Sequence, residues 1–272
     1  MNSDIKDLTQ QLNQHIKMTD WTHYLLKPEN LTQDFPLNSL SSALGRILEA
    51  NIYIVAYDGT IHGYYETHKI NTGRVYDIVQ RKQFPLNYLK RINAIDDTEE
   101  NLSIYDNRTI FPVETKSLYE QALTTLVPVE MSKKRRGTIL VATIDQELSP
   151  SEVGLVEYAA NIVGIAFSFK ESVEQVTEQN KREKAHLAYN TTTKTERKAL
   201  RGLYEVLGNK QEMRVTTSEI ADQLGITRSI IVNSLQKLVV AGVIEQKSMG
   251  MKGTHIKLVN DYFRDILFQD EE

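Results

Sequence analysis

Cysteine is absent from the 272 residues. That removes disulfides, thiolate metal sites, thiol nucleophiles and cysteine redox chemistry together. Histidine is sparse: the six, at 15, 23, 62, 68, 186 and 255, never stand in pairs at metal-ligand spacing with a carboxylate between them. His62 and His68 come nearest, flanking a strand end, and a surface or core role is expected for both. No metal ligands are assigned. There is no Gly-rich loop with a following Lys to cradle a phosphate. No apolar run is long enough to cross a bilayer, and no basic-then-apolar leader opens the chain, so a soluble cytoplasmic protein is expected. No Ser/His/Asp arrangement announces itself. An enzyme would need a catalytic pocket built on Arg74 and Glu114, which is the weak reading. No catalytic residue is assigned.

What is present begins to make sense near the C-terminal end. Thr216 and Glu219 have the spacing of a capping box. The short helix they open turns Ile220, Ala221 and Leu224 inward. Gly225 stops it, because so tight a turn needs a positive φ. Ile226 plugs the turn into the core. Thr227 then caps a second helix whose buried stripe is read as Ile230, Ile231, Leu235, Leu238 and Val239. Its other face carries Arg228, Ser229, Asn233, Gln236 and Lys237, donors able to reach phosphates and base edges. Gly242 ends it. Residues 243–247 and 254–258 read as two strands joined by a flexible basic tip, Ser248 to Gly253.

This is the pattern of a winged helix-turn-helix running from Thr217 to Gln236, with a wing behind it. The expected DNA face comprises Thr217, Ser218, Thr227, Arg228, Ser229, Asn233, Gln236 and Lys237. Lys247, Ser248 and Lys252 join it from the wing. A helical hairpin and β-ribbon used for protein contacts would look similar. Ala221, Gly225 and Ile231 at helix-turn-helix spacing, directly before a hairpin, favour double-stranded DNA. Charge agrees: residues 210–260 hold seven Lys/Arg against four Asp/Glu, and the whole chain is −4, which leaves −7 for the remainder. An acidic body with a mildly basic end suits a protein that touches DNA at one end.

The earlier chain reads as an α+β sensor. Ile5, Leu8, Leu12 and Ile16 recur at helical spacing over 4–18. Residues 21–33 look irregular. A helix over 37–49 precedes a strand over 51–57, a turn at Asp58-Gly59 and a strand over 61–65. Helices are expected over 72–81 and 86–92, and an exposed acidic run over 96–100. A strand over 108–113 leads to a loop. Strands over 123–129 and 137–144 flank a basic connector, Lys133 to Arg136, which is read as a solvated loop with a partner role as the lesser alternative. One antiparallel sheet flanked by helices leaves a pocket under its loops.

Ser149, Pro150 and Glu152 start a long helix. Its first half is apolar on most sides. Its second half is polar, as a solvent-crossing connector would be. Thr193 and Glu196 form a further capping box for a helix that ends at Gly208. The expected domains are 1–148 for sensing, 149–190 for the linker helix and 191–272 for the winged helix.

The pocket carries its own chemistry. Arg74 opens a helix ahead of Val75 and Ile78. Phe84, Pro85, Tyr88, Phe111 and Pro112 are apolar or rigid residues in loop-like context. One guanidinium beside an aromatic cup would hold a small apolar amino acid, the carboxylate in the Arg fork and the side chain in the cup. A surface Arg74 over ordinary core is the plainer alternative.

At this point the sequence resembles the CodY family, nutrient-sensing global transcriptional repressors of low-GC Gram-positive bacteria. The resemblance rests on Ile220 to Asp222, Gly225 to Ser229, Ile231 to Asn233, Ala241 to Glu245 and Ser248 to Thr254. In the first domain it rests on Arg81 to Pro85, Phe111 to Glu114 and Leu123 to Pro128. It implies an N-terminal GAF-type domain that binds isoleucine, with valine and leucine weaker, then a linker helix and a winged helix. It also implies a homodimer on an AT-rich palindromic operator, with DNA affinity raised by the ligand. Arg74 matches the family's carboxylate-binding Arg. Phe84, Pro85, Tyr88, Thr109, Phe111 and Pro112 match its pocket wall and rim. Val75 and Ile78 stand where many members have Met. GTP-responsive members carry a basic Ser-Arg-Arg-Gly-Lys-type turn after the first sensor strand, and here the stretch is Ala56 to Thr60. An Asp there repels a triphosphate, so a weak or absent GTP response is expected. The rival reading is a constitutive DNA-binding protein whose GAF-like domain serves only to dimerise.

Overall fold

The computed structural model describes residues 2–18, 36–69, 74–111, 117–250 and 253–269. The irregular 21–33 stretch, Pro112, Glu114 and Lys252 lie outside them, as does the side chain of Arg74. The chain divides into two compact units, residues 1–173 and 174–272.

The first unit holds α1 (Asn2–Met18), α2 (Leu37–Leu48), β1 (Asn51–Ala56), β2 (Ile61–Tyr65), α3 (Arg74–Arg81), α4 (Leu86–Ile92), β3 (Glu99–Ser103), β4 (Leu123–Met131) and β5 (Lys134–Thr143), with the first part of α5 (Pro150–Thr191). Its sheet has the order β2-β1-β5-β4-β3, antiparallel at every step. Period-two alternation gives the central strands β1, β5 and β4 two buried faces. Ile52, Ile54, Val127, Val129, Ile139 and Val141 pack under α1, α2 and α5, against residues such as Leu12, Leu44, Leu155 and Val163. Tyr53, Val55, Leu126, Leu140 and Ala142 face the opposite way, under Phe84, Tyr88, Leu89, Ile92 and Phe111.

Two expectations fail here. The stretch from Arg108 is a turn, not a strand. Asp106 Oδ1 accepts from the Arg108 amide at 2.8 Å and from its Nε at 3.0 Å, and such local side-chain bonds divert the backbone from a ladder. The strand expected there is supplied by β3, which takes in the end of the acidic run. The basic connector is not a solvated loop either, since β5 begins at Lys134. Arg135 donates to the carbonyls of Ile92 (3.2 Å), Ile95 (2.9 Å) and Gly137 (2.6 Å) and to Thr138 Oγ1 (3.0 Å). Lys134 and Arg136 both pair with Glu171 of α5.

By length and composition α5 is apolar enough to cross a membrane, so the expectation that no run would qualify was too broad. Leu155, Val156, Ala159 and Val163 are fully buried in the first unit's core, which is how a core helix reads. Ser149 and Glu152 bond reciprocally as expected.

The second unit holds the rest of α5, then α6 (Lys194–Leu207), β6 (Glu212–Val215), α7 (Thr217–Leu224), α8 (Arg228–Val240), β7 (Ile244–Ser248), β8 (Thr254–Leu258) and α9 (Tyr262–Gln269). The sheet order is β6-β8-β7. Sequence reading missed β6 and α9. Met213 and Val215 alternating with Glu212 and Arg214 were the signal for β6. Phe263 and Leu267, four apart and fully buried, were the signal for α9.

Candidate functional site

In the first unit, the face of the sheet that carries Tyr53 bears a cavity of about 330 Å³. That is at the small end of ligand pockets. Val75 and Ile78 line it from α3, Phe84 and Pro85 from the break, Tyr88 from α4, and Thr109 and Phe111 from the following loop. Arg74 is the first residue of α3, directly before Val75. Asn87, Arg91, Tyr105, Asp106, Asn107 and Ile110 also line the cavity, and sequence reading named none of them.

The aromatic wall is built ring on ring. Phe84 stacks on Tyr88 with centroids 5.4 Å apart, and Tyr53 meets Phe84 edge-on at 6.2 Å. Phe84 is held from behind by the β1–β2 turn. Its amide donates to the Gly59 carbonyl at 2.9 Å, and Gln83 Nε2 donates to the Asp58 carbonyl at 2.8 Å. Gly59 has φ 92°, and a Cβ there would fall 2.4 Å from Leu89 Cδ1, so only glycine fits. The Asp58 carboxylate accepts from the Thr60 amide at 2.9 Å, which closes the turn.

The rim is polar and braced. Tyr88 Oη donates to the Arg108 carbonyl at 2.8 Å, tying α4 to the loop. Burial pushes the Tyr88 phenol well above its usual range, so it stays a neutral donor. The Arg91 guanidinium lies 5.5 Å from the Tyr88 ring centre, within cation–π range. Arg108 reaches Asp106 at 3.0 Å and Glu99 at 2.6 Å. Its hydrogen bonds hold the Asp106 carboxyl below the usual range, against the opposing push of burial. Thr109 Oγ1 lies 3.0 Å from Thr124 Oγ1 and accepts from the Phe111 amide at 3.3 Å. The two histidines singled out in the sequence sit apart from the cavity. His68 Nε2 lies 2.8 Å from the Glu49 carbonyl, and His62 packs on Phe167.

In the second unit α7 and α8 are joined by Gly225, in the left-handed region at φ 64° and ψ 35°. Ile220, Ala221, Ile231, Leu235 and Leu238 are buried in one core with Val243, Ile256 and Phe263. Ser234 completes the buried face of α8, while Val239 is 39% exposed. The stripe therefore follows Ile231–Ser234/Leu235–Leu238 and does not extend to Val239. Thr216 and Thr227 occupy the N-cap positions, but neither makes a side-chain cap bond. The Thr216/Glu219 capping box is thus absent, and the first turn closes through the Ile220 amide on the Thr216 carbonyl at 3.2 Å. The Thr193/Glu196 box is present in both directions.

Thr227, Arg228, Ser229, Asn233, Gln236, Lys247 and Ser248 are exposed, Ser218 is half-buried and Thr217 is buried. Thr217 Oγ1 accepts from Arg228 Nε at 3.2 Å, so it positions the guanidinium instead of lying open. Lys237 is the main departure. Its ammonium lies 2.8 Å from Glu196 Oε2 and 2.9 Å from the Thr191 carbonyl, committed inside the chain and not held out as a phosphate donor.

Profiles of two families match the sequence: the CodY GAF-like domain over residues 7–191, and the CodY helix-turn-helix domain over residues 211–270. Among solved structures, the cofactor-binding GAF domain of the nutrient sensor CodY from Clostridium difficile is 22% identical, covering 60% of this chain and 97% of its own, at a TM-score of 0.41. The GAF domain of a phosphoenolpyruvate-protein phosphotransferase from Coxiella burnetii is 8% identical, covering 62% and 96%, at 0.39.

Proposed function

The chain belongs to the CodY family, and from that premise we propose how this DNA-binding, nutrient-sensing regulator works. Neither a GAF-like nor a helix-turn-helix domain is enzymatic. It acts as a cytoplasmic homodimeric repressor on an A·T-rich palindrome. A branched-chain amino acid, chiefly isoleucine, raises its DNA affinity. The working parts are a sensor over 1–148, a linker helix over 149–190 and a winged helix over 191–272.

The observation that supports the ligand is the cavity of about 330 Å³. Its walls are Val75, Ile78, Phe84 and Phe111, which suit a branched aliphatic side chain, and it adjoins the start of the helix that Arg74 opens. Arg74 takes the carboxylate as a fork. Pro112 belongs to the rim in this reading, and Lys252 joins Lys247 on the wing. Arg228 and Asn233 read bases, and Thr227 and Ser229 anchor phosphate at the helix N-terminus.

GTP is at most a weak effector of this chain. The turn from Ala56 to Thr60 carries no cation, and its Asp58 carboxylate is spent on the Thr60 amide. The deciding experiment is fluorescence anisotropy of a labelled A·T-rich palindromic duplex at fixed salt. It is run with no effector, with isoleucine and with GTP. Tightening with isoleucine and indifference to GTP are expected. Tightening with GTP overturns the Asp58 argument. Indifference to both leaves a constitutive DNA-binding protein whose sensor domain only dimerises.

A further inference from the structure

The exposed face of α8 is unusually poor in charge for a DNA-reading helix. Among its thirteen residues only Arg228 and Lys237 are cationic, and Lys237 is bound to Glu196 and the Thr191 carbonyl. What remains exposed over the first three turns is Arg228, Ser229, Val232, Asn233 and Gln236. Val232 is the apolar member of that set. It lies one turn from Arg228 and one turn from Gln236, beside Asn233, on the edge of the exposed face that flanks the buried Ile231–Leu238 stripe, and it is 36% exposed. A singly exposed valine needs no explanation by itself. Its exposed neighbours give it one, because Arg228, Ser229, Asn233 and Gln236 are all donors suited to a base edge or a phosphate.

Groove chemistry then assigns roles. Asn and Gln make paired bonds to adenine, Arg to guanine, and apolar side chains meet the 5-methyl group of thymine. Recognition helices present their N-terminal residues to the bases. Val239 and Val240 lie at the far end of α8, so Val232 is the apolar residue in the reading half. We infer that Val232 is a specificity-determining residue whose isopropyl group packs on a thymine methyl, next to an adenine held by Asn233 or Gln236. The inference rests on the DNA-binding reading above.

The test uses the full-length chain and the duplex it enriches from a randomised pool. Each thymine is replaced in turn by uracil, which removes the methyl and nothing else. One position in each half-site should weaken binding about fourfold, the worth of one buried methylene. Val232→Ala should bind the parent duplex with the same loss and be indifferent to uracil at that position. Val232→Thr, which keeps one methyl, should retain part of the sensitivity. The uracil scan needs no protein variant, so a misfolded variant cannot hide the answer. A scan in which no thymine matters overturns the inference, as does a sensitivity that Val232→Ala keeps. If the chain enriches no duplex and binds none, the DNA-binding reading itself fails and the inference falls with it.

Discussion

Glu196 and Lys237 meet at 2.8 Å, so one carboxylate both closes the start of α6 and holds the recognition helix. Oε2 of Glu196 also accepts from the Thr193 amide at 2.7 Å, and the residue is 9% exposed. Lys237→Ala leaves that buried oxygen with its cap partner alone. A loss of about 1–3 kcal/mol is expected, read as a lower urea midpoint by circular dichroism. The slope of log affinity against log salt should match the parent's. If Lys237 instead neutralises a phosphate, the slope drops by about 1 and stability barely changes.

Arg135 is the corresponding anchor in the sensor. Its four acceptors include the Ile92 carbonyl at the end of α4 and the Ile95 carbonyl just beyond it; α4 is the helix whose Tyr88 and Arg91 line the cavity. Burial lowers its pKa from the usual guanidinium value, though it remains charged. Arg135→Ala should cost about 2–3 kcal/mol through acceptors left unpaired. Ligand affinity should fall as well, although no atom of Arg135 lines the cavity. Arg135→Lys should recover little, because an ammonium cannot span the fork. Calorimetric titration with isoleucine beside a urea melt checks both. An unchanged melt would return Arg135 to the solvated connector that the sequence suggested.

Local patterns were legible where four or five residues decide the outcome. Ser149/Glu152 and Thr193/Glu196 form reciprocal boxes, and Gly225 takes the left-handed turn. Thr216/Glu219 has the same letters without the box, since spacing permits the bond but does not compel it. The apolar wall of the cavity was legible because Phe84, Tyr88 and Phe111 are large residues in loop-like context. The polar rim was not. Asn87, Arg91 and Asp106 reach the cavity only because the 105–111 loop folds against α4, a contact fixed by Tyr88 Oη on the Arg108 carbonyl across twenty residues of chain. The basic quartet misled for the same reason: its acceptors on α4 and α5 lie roughly forty residues away in either direction.

Arg74 carries the ligand reading and can sink it. Arg74→Ala should weaken isoleucine binding about ten- to a hundredfold, the worth of a charged hydrogen-bonded pair. Arg74→Lys should fall between, keeping the charge but losing the fork. In both variants DNA binding without isoleucine should match the parent's. Calorimetry and anisotropy on the same preparation separate the two effects. An unchanged dissociation constant in Arg74→Ala would move the carboxylate to Arg91, which lines the cavity beside Tyr88.

Acid should loosen the rim before it touches the wall. Hydrogen bonds from Arg108 lower the Asp106 pKa below the ordinary carboxylate value, outweighing desolvation. A depressed folded pKa means the ionised form is favoured by folding. The stabilisation is therefore fully present above the unfolded value of about 3.9 and is lost as pH falls through the folded one. Glu196 acts in the same direction: desolvation raises its pKa, but the bonds from Lys237 and Thr193 prevail and lower it. Stability measured by urea melts should be flat in this contribution from pH 7 to about pH 5 and decline below about pH 4. Asp106→Asn should lose about 1 kcal/mol at neutral pH, with its gap to the parent closing in acid. A gap that stays constant down to pH 3.5 would mean that folding does not favour the ionised Asp106 and that its contribution to the rim does not come from its charge.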